Sequence, residues 1–253
     1  MSSPTANGAL AESILDICDK MARDCDGLHF GAPVEFVYNP LVYARQPFKR
    51  YVELFVRDSG TILFLGMNPG PFGMAQTGIP FGDIPHVRDW MGIREPVEQP
   101  PKSHPKRPIQ GFDCHRVEGS GQRLWGYFSS LFANPTDFFQ RCSVFNYCPL
   151  VFMDQGGANI TPDKLARGQR EDLFAICDQA LAKIIVLLQP RALIGIGGFA
   201  RQRLDLVAGL AGPAIAGLPR VTLTHPSPAN PRANQGWNDS VRSSLTAAGL
   251  WPL

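Results

Sequence analysis

Three uncharged polar side chains of this sequence each follow a predicted β-strand. Asn68 comes after a run of β-branched and large apolar residues, Asn146 closes a second such run, and His225 follows a third. Strands that alternate with helices favour a mostly parallel sheet, and ligands bind outside the carboxyl ends of such strands. We therefore expect Asn68, Asn146 and His225 to converge on one site at that edge of the sheet.

The loop that carries Asn68 has the composition of a ligand-binding turn. Residues 66–73 read GMNPGPFG, with three glycines and two prolines in eight positions, which neither a strand nor a regular helix tolerates. Asn68 is the first side chain here that both donates and accepts hydrogen bonds, and Phe72 and Phe81 place flat apolar rings on either side. A turn that only reverses the chain is the simpler interpretation, but this composition favours a backbone lying close to a ligand.

The loop that begins at His225 is stiffened by proline. Residues 225–231 read HPSPANP, with three prolines in seven positions. A single histidine after a strand is often only a structural residue. Because this histidine opens a rigid loop opposite Asn68, a catalytic role is favoured.

Other chemical motifs are weak or absent in the sequence. Residues 195–200, GIGGFA, are similar to a dinucleotide-binding turn, but no acidic residue follows at the end of a next strand, as a nicotinamide site requires. Nucleophile-elbow, phosphate-loop and H-E-x-x-H motifs do not occur. The six cysteines form no C-x-x-C pair and no zinc spacing, so we expect no metal, a reducing compartment, and Cys142 and Cys177 in the core.

Charge and hydropathy limit the class of protein. The 253 residues carry a net charge of +2 and 18% charged residues, which is typical of a globular protein. No apolar run approaches the roughly 20 residues that cross a bilayer, and the amino terminus lacks a signal-peptide pattern. A basic stretch opposed only by Asp113 and Glu118 is equally compatible with phosphate binding and with a merely solvated loop. Its basic members are Lys102, His104, Lys106, Arg107, His115, Arg116 and Arg123.

Hydrophobic periodicity predicts the elements that must position these residues. We expect a short strand at 34–38, then strands at 61–65, 142–145, 192–196 and 221–224, and helices at 8–26, from 47, at 121–132, at 169–188, after 198 and at 235–248. Asn7 is the expected N-cap of the first helix and Pro47 the first residue of the second, while 84–118 is expected to be irregular. The alternation predicts an α/β fold with a short, mostly parallel four-stranded sheet and helices on both faces.

The sequence also resembles a known family. Residues 66–83, GMNPGPFGMAQTGIPFGD, and 225–237, HPSPANPRANQGW, are similar to the two signature loops of the single-strand-selective monofunctional uracil-DNA glycosylases, a branch of the uracil-DNA glycosylase superfamily. The similarity continues through VYNPLVYA, HPKRP, FNYCPL and the GLWPL tail, and so covers nearly the whole chain. It implies one three-layer α/β/α domain over residues 1–253. It also implies excision of uracil and C5-oxidised uracils, such as 5-hydroxymethyluracil, from DNA without lyase activity.

The resemblance assigns expected roles to residues of this chain. Asn68 would hold the attacking water, His225 would stabilise charge on the departing base, Asn146 would read the Watson–Crick edge, and Phe81 would stack on the ring. Further expected substrate contacts are Gly70, Met74, Met67 and Phe72. Expected DNA contacts are Pro226, Ser227, Pro228, Ala229, Asn230, Arg232, Lys106 and Arg107. Neither a metal nor another cofactor is implied.

The chain departs from the family pattern at one position. The relatives carry an arginine between proline and asparagine in the second loop, where this chain has Ala229, and that arginine is associated with wedging into a DNA duplex. The resemblance therefore leaves open a weaker dependence on this loop or a wedge supplied by Arg232.

The expected partners are single- and double-stranded DNA that contains uracil or related damaged bases, with no membrane and with the protein as a monomer. The expected compartment is a bacterial cytoplasm, or the nucleus if the source is eukaryotic. A glycosylase of the same fold for deaminated purines, hypoxanthine or xanthine, and a non-catalytic binder of damaged DNA remain alternatives.

Overall fold

A computed structural model describes residues 6–57 and 60–253 of the chain. The strands are β1 (Phe36–Tyr38), β2 (Ile62–Gly66), β3 (Cys142–Asn146), β4 (Val151–Met153), β5 (Asn159–Ile160), β6 (Ala192–Ile196) and β7 (Arg220–Leu223). The helices are α1 (Ala6–Asp26), α2 (Pro40–Tyr43), α3 (Arg45–Phe55), α4 (Met74–Thr77), α5 (Gly119–Leu131), α6 (Pro135–Phe139), α7 (Arg167–Leu188), α8 (Gly198–Leu210), α9 (Pro213–Ala216) and α10 (Trp237–Ala247).

The main sheet is parallel throughout, in the order β3-β2-β6-β7. Every residue of β2 and β6 is buried, because helices cover both faces of the sheet. The predicted three-layer α/β fold with a four-stranded parallel sheet is confirmed. The last strand lies one residue earlier than the predicted 221–224.

The strand order creates a crevice for the Asn68 loop. From β2 the chain passes to β3 on one side of the sheet and later to β6 on the other. Such a reversal of strand order is a topological switch point, where the loops at the strand ends diverge and leave room for a ligand. Gly66 pairs in register with Asn146 at this edge, so the ends of β2 and β3 lie side by side.

A second, antiparallel sheet in the order β1-β4-β5 was not predicted. Strands of two or three residues are too short to show an alternating pattern, so sequence periodicity identified only β1. This small sheet supports the basic stretch, because the Tyr38 hydroxyl donates to the Arg107 carbonyl at 2.8 Å and accepts from the His104 amide at 2.6 Å.

Two expected helix starts are wrong. The first helix already includes Ala6, so Asn7 lies inside its first turn and is not the N-cap. Pro47 is the third residue of α3, not the first. A proline fits anywhere in the first turn because the amides there have no intrahelical acceptor, so its position alone does not define the start.

The segment 84–118 is largely irregular, as expected, apart from a π-helical turn (His86–Trp90) and a 3-10 turn (Gly111–Asp113). All six cysteines are buried and unpaired, including Cys142 and Cys177. Among the described helices, none combines the length and the apolar character that crossing a bilayer requires.

Candidate active site

A cavity of about 400 Å³ opens at the carboxyl edge of the main sheet. It is lined by Met67, Asn68, Pro69, Gly70, Pro71, Met74, Phe81, Glu118, Ser120, Asn146, Asn159, Thr161, His225 and Ser227. The structure thus brings together Asn68, Asn146 and His225, which are far apart in the chain. They meet because the parallel strands β2, β3 and β7 deliver their following loops to one edge.

The amide of Asn68 is held in one orientation. Its Nδ2 donates to the carbonyl oxygen of Leu150 at 3.1 Å and, at the limit of hydrogen-bond length, to that of Pro69 at 3.4 Å. No group in the described part of the chain donates to Oδ1. The side chain therefore offers the pocket an acceptor and no free donor, which suits it to hold a water molecule through one of that water's protons.

Asn146 presents an amide of a different kind. Its Nδ2 contacts the sulfur of Met74 at 3.2 Å, a weak acceptor. Its Oδ1 is buried and has no hydrogen-bond partner within residues 6–57 and 60–253. An unpaired buried acceptor costs about 1–3 kcal/mol. A ligand that donates to this oxygen and accepts from Nδ2 would remove that cost.

Gly66 allows Asn146 and Phe81 to close the inner end of the pocket. A β-carbon added to Gly66 would overlap with Asn146 Oδ1 and would lie 2.7 Å from the Phe81 ring. Both side chains rest on the bare backbone of this residue, so glycine is required here for close approach.

We expect Gly66→Ala to lower both the stability of the fold and the affinity for the base that the sequence resemblance predicts as the ligand, because the added methyl must displace Asn146 or Phe81. Overpacking of this kind costs about 1–3 kcal/mol of unfolding free energy. Thermal unfolding and titration with free base would measure the two effects. Gly168→Ala is the matched control, since no atom lies within 4 Å of a β-carbon there and alanine favours helix. Unchanged base affinity in Gly66→Ala would contradict this packing argument.

Phe81 adopts an unusual backbone conformation. Its φ of +55° lies in the left-handed region, which a bulky side chain adopts only when its surroundings enforce it. Part of this enforcement comes from Gly121, because the Phe81 carbonyl packs directly against its α-carbon, where any β-carbon would overlap. The Phe81 ring lies 6.3 Å from the His225 ring, centroid to centroid, at 44°. The two rings form adjacent walls of the cavity.

His225 is held as a neutral imidazole. The backbone N–H of Ser227 donates to Nδ1 at 3.2 Å, so in this tautomer the proton is on Nε2. Partial burial in the pocket lowers the pKa of His225 below its usual value, because desolvation disfavours the imidazolium. Asn230 fixes the backbone by donating from Nδ2 to the His225 carbonyl at 3.1 Å. The side chain therefore serves as a hydrogen-bond donor through Nε2 at neutral pH.

Sequence reasoning missed the contribution of α5. Glu118, which the sequence presents only as one of two acids in a basic stretch, lines the cavity and caps α5 by accepting from the Ser120 amide at 3.2 Å. Its carboxyl packs against Gly70 and Gly73, and burial raises its pKa. An acidic residue just before a helix starting with glycine and serine is the only sequence signal for this cap.

Arg123 connects α5 to the His225 loop. Its guanidinium donates to the carbonyl of Pro226 at 3.0 Å and to Asn234 Oδ1 at 2.9 Å. Together with Glu118, which packs on the Asn68 loop, it makes the first turns of α5 a common support for both loops. Arg123, a member of the basic stretch for which phosphate binding and simple solvation were equally compatible, serves in the structure as an internal support.

The remaining expected substrate residues divide between the pocket and its rim. Met67, Gly70 and Met74 line the pocket, while Phe72 lies outside it and contacts two guanidinium groups, described below. Ser227 also lines the cavity. Pro228, Ala229, Arg232 and Lys106 are exposed, and Asn230 and Arg107 are half-buried.

Pro226, an expected DNA contact, and His104, a member of the basic stretch, both lie away from the surface. Pro226 is buried, and its carbonyl is occupied by Arg123, so it does not present a surface to DNA. His104 is also buried, with Nε2 at 3.2 Å from the Gln155 carbonyl and Nδ1 accepting from the Lys106 amide at 2.9 Å. It supports the basic stretch from beneath, and a sequence pattern cannot distinguish that role from a surface one.

Comparison with known proteins agrees with this geometry. The model of the family described as "Uracil DNA glycosylase superfamily" matches residues 55–243. The chain is 45% identical to the single-strand selective monofunctional uracil DNA glycosylases of Mus musculus and Rattus norvegicus over 249 residues, which is 97% of this chain and 87% of each relative. The Bos taurus protein of the same name is also 45% identical, and the matched region is 97% of this chain and 89% of that protein.

A solved structure supports the fold independently. The crystal structure of wild-type SMUG2 from Pedobacter heparinus superposes with a TM-score of 0.62 at 19% identity, over 92% of this chain and 98% of that one. At this identity the likeness supports the fold alone. Taken with the family match and the 45% identical relatives, it leads to one assignment: the chain belongs to the uracil DNA glycosylase superfamily, within the single-strand selective monofunctional uracil-DNA glycosylases.

Proposed function

We propose that this protein hydrolyses the N-glycosidic bond between uracil and deoxyribose in DNA, releasing the free base and leaving an abasic site. The observation that carries the proposal is the convergence of Asn68, Asn146 and His225 on one cavity, with the Asn146 acceptor buried and unpaired. A base within a duplex is out of reach of such a cavity, so the nucleotide must be flipped out before it can enter.

The Asn146 amide suits the N3–H and O4 edge of uracil and distinguishes it from cytosine. Its Oδ1 can accept from uracil N3–H while its Nδ2 donates to O4. Cytosine presents an acceptor at N3 and an amino donor at C4, so it would face this amide with the wrong groups. A site built to pair both polar groups rejects a mismatched base because its buried atoms are then left unpaired.

Bond breakage follows from the positions of the two catalytic residues. As the C1′–N1 bond lengthens, its electron pair moves to the base and positive charge develops on the sugar. The Nε2–H of His225 stabilises the negative charge on a uracil carbonyl oxygen. Water held by Asn68 then forms the C1′–O bond, and the proton that this water loses passes through solvent to the departing uracil anion, so that free neutral uracil is released. A neutral amide accepts no proton near pH 7, so Asn68 orients the water and does not act as a base.

The finer specificity belongs to the same proposal. We include uracils with an oxidised C5 substituent as substrates, as the resemblance to the single-strand-selective family implies, with Gly70 and Met74 among the residues that line the pocket. We also include the absence of lyase activity, because neither signature loop contains a lysine that could form a Schiff base with the sugar. The protein acts as a monomer on single- and double-stranded DNA, with exposed Arg232 as the candidate wedge in place of the missing arginine at Ala229.

A gel assay tests the proposal. A labelled oligonucleotide with one uracil, single-stranded or paired with G or A, is incubated in EDTA and analysed with and without hot alkali. We expect strand cleavage only after alkali, and a strongly reduced rate of cleavage with His225→Ala, which is purified in parallel as a control for contaminating activity. Cleavage without alkali would contradict the absence of lyase activity. Release of hypoxanthine or xanthine but not uracil would replace the proposal, and binding without release would indicate a damage binder.

The duplex arm of the same assay tests the wedge. Arg232→Ala is expected to lower uracil release from duplex DNA and to leave release from single-stranded DNA unchanged, because only paired DNA needs a wedge. Equal duplex rates for Arg232→Ala and the wild-type protein would exclude this role.

A further inference from the structure

Phe72 binds two arginine side chains at the rim of the pocket. The guanidinium carbon of Arg116 lies 4.6 Å from the ring centroid, and that of Arg107 lies 5.3 Å from it. Both distances fit cation–π contacts. The ring belongs to the Asn68 loop, immediately after Pro71, which lines the pocket. Two positive charges are therefore held on one residue of the catalytic loop, just outside the cavity.

Within residues 6–57 and 60–253, neither of these positive charges is neutralised by an ion pair. In the part of the chain that the structure describes, no carboxylate forms an ion pair with Arg107 or Arg116. Arg107 Nε is buried and has no hydrogen-bond partner there. The carboxyl that packs on this loop, Glu118, faces Gly70 and Gly73 and accepts from Ser120. Arg107 Nη1 donates to the Lys106 carbonyl at 3.0 Å, but no carboxylate among the described residues balances the charge of either guanidinium group.

Such an arrangement fits an anion that takes several hydrogen bonds. A guanidinium stacked on an aromatic ring keeps its N–H groups at the edge, where a fork of donors matches phosphate oxygens. Exposed Lys106 adds a third positive charge next to Arg107. The occupation of Phe72 by guanidinium groups argues against this ring as a direct substrate contact, which is the role expected from the sequence.

We infer that Arg107 and Arg116, stacked on Phe72, form a binding site for a backbone phosphate of the DNA strand, next to the nucleotide whose base enters the pocket. This inference rests on the proposed function, which makes a DNA strand the substrate. It adds Arg116 as a binding residue and changes the role of Phe72 from base contact to support for two arginines. Phosphate binding here would also position the Asn68 loop relative to the sugar of the flipped nucleotide.

The salt dependence of binding tests this inference without requiring excision. Affinity for a uracil-free single-stranded oligonucleotide is measured by fluorescence anisotropy over a range of salt concentrations. Each phosphate contact contributes about 0.7 to the slope of log K against log salt on single strands. We expect Arg116→Ala and Arg107→Ala each to reduce the slope by about that amount. Arg23→Ala, which removes an exposed charge from α1, should leave it unchanged.

A chemical modification of the DNA identifies the phosphate. Methylphosphonate is placed at one position at a time around the uracil of an oligonucleotide whose sugar carries 2′-fluorine to slow excision. We expect one or two adjacent positions to weaken binding by the wild-type protein, and the same positions to have no further effect on Arg116→Ala. Arg107 is half-buried, so Arg107→Lys serves as its second variant. Lysine retains the charge but lacks the planar fork of donors, and we expect the DNA affinity of Arg107→Lys to lie between those of the wild-type protein and Arg107→Ala.

The outcomes separate this inference from the proposed function. The phosphate site would be overturned, even with normal uracil excision, by either of two results. One is the same salt slope for Arg116→Ala as for the wild-type protein, and the other is the same reduction in slope for Arg116→Ala as for Arg23→Ala. Failure to excise uracil with the expected slopes would instead overturn the proposed function and retain a DNA-binding site at Phe72.

Discussion

Replacement of His225 by alanine is expected to lower the single-turnover rate of uracil release about 100- to 1,000-fold, the usual effect of removing one donor to a developing oxyanion. The fold should persist, because the ring lies in a pocket wall and its backbone is fixed by Asn230 and, through Pro226, by Arg123. Rapid-quench measurement of base release, with circular dichroism as a check on folding, would establish the effect. A loss below about tenfold would show that charge on the base is stabilised elsewhere.

The pH dependence distinguishes a neutral donor from an imidazolium. Burial lowers the pKa of His225, so the neutral form persists to more acidic pH than an exposed histidine with its pKa of about 6.5 allows. Below the lowered pKa a proton on Nδ1 would face the Ser227 N–H, and we expect release to fall. The unfolded chain takes up this proton at higher pH, so His225 also causes stability to decrease as pH falls from about 6.5 toward the lowered value.

Two variants check that this acidic limb belongs to His225. His225→Gln retains a neutral N–H donor that does not titrate, so we expect partial activity and no acidic limb. His29→Gln, at an exposed histidine outside the cavity, should reproduce the wild-type profile. An acidic limb that survives in His225→Gln would assign the titration to another group. The Glu118 carboxyl is then the candidate, because it also lines the pocket.

Asn68→Ala is expected to have the second largest effect, about a 100-fold lower single-turnover rate, which is the scale of loss when a reacting group is misplaced. The alanine removes the acceptor that Leu150 and Pro69 hold toward the pocket. Because a dissociative reaction depends most on the departing base, the loss should be smaller than for His225→Ala. Rate measurements on both variants under identical conditions would test this order.

A binding measurement shows whether Asn68 acts on chemistry alone. Affinity for the 2′-fluoro uracil oligonucleotide should remain within about twofold of wild type in Asn68→Ala, because an effect confined to the transition state leaves ground-state binding unchanged. Asn146→Ala should weaken the same affinity, since it removes the pair of groups that read the base. A parallel loss of affinity in Asn68→Ala would mean that the asparagine binds the base and does not hold the water.

The sequence by itself determined the sheet, its three polar strand ends and the family. These features are local: each strand is a short apolar run, and the glycines and prolines that follow it interrupt regular structure wherever the chain goes. Parallel pairing then makes Asn68, Asn146 and His225 meet whatever the details of packing. Most errors at this level were in helix starts, as at Asn7 and Pro47, where several neighbouring positions satisfy the same local rules.

Only the tertiary structure decided what surrounds those three side chains. The hydrogen bond from Arg123 to Pro226 joins residues 103 positions apart, and the positive φ of Phe81 and the overlap that forbids a side chain at Gly66 exist only once strands and helices are packed. The same holds for burial of His104 and Pro226 and for the stacking of Arg107 and Arg116 on Phe72. Residue type shows which atoms can donate or accept, but long-range contacts decide which of them remain available for DNA.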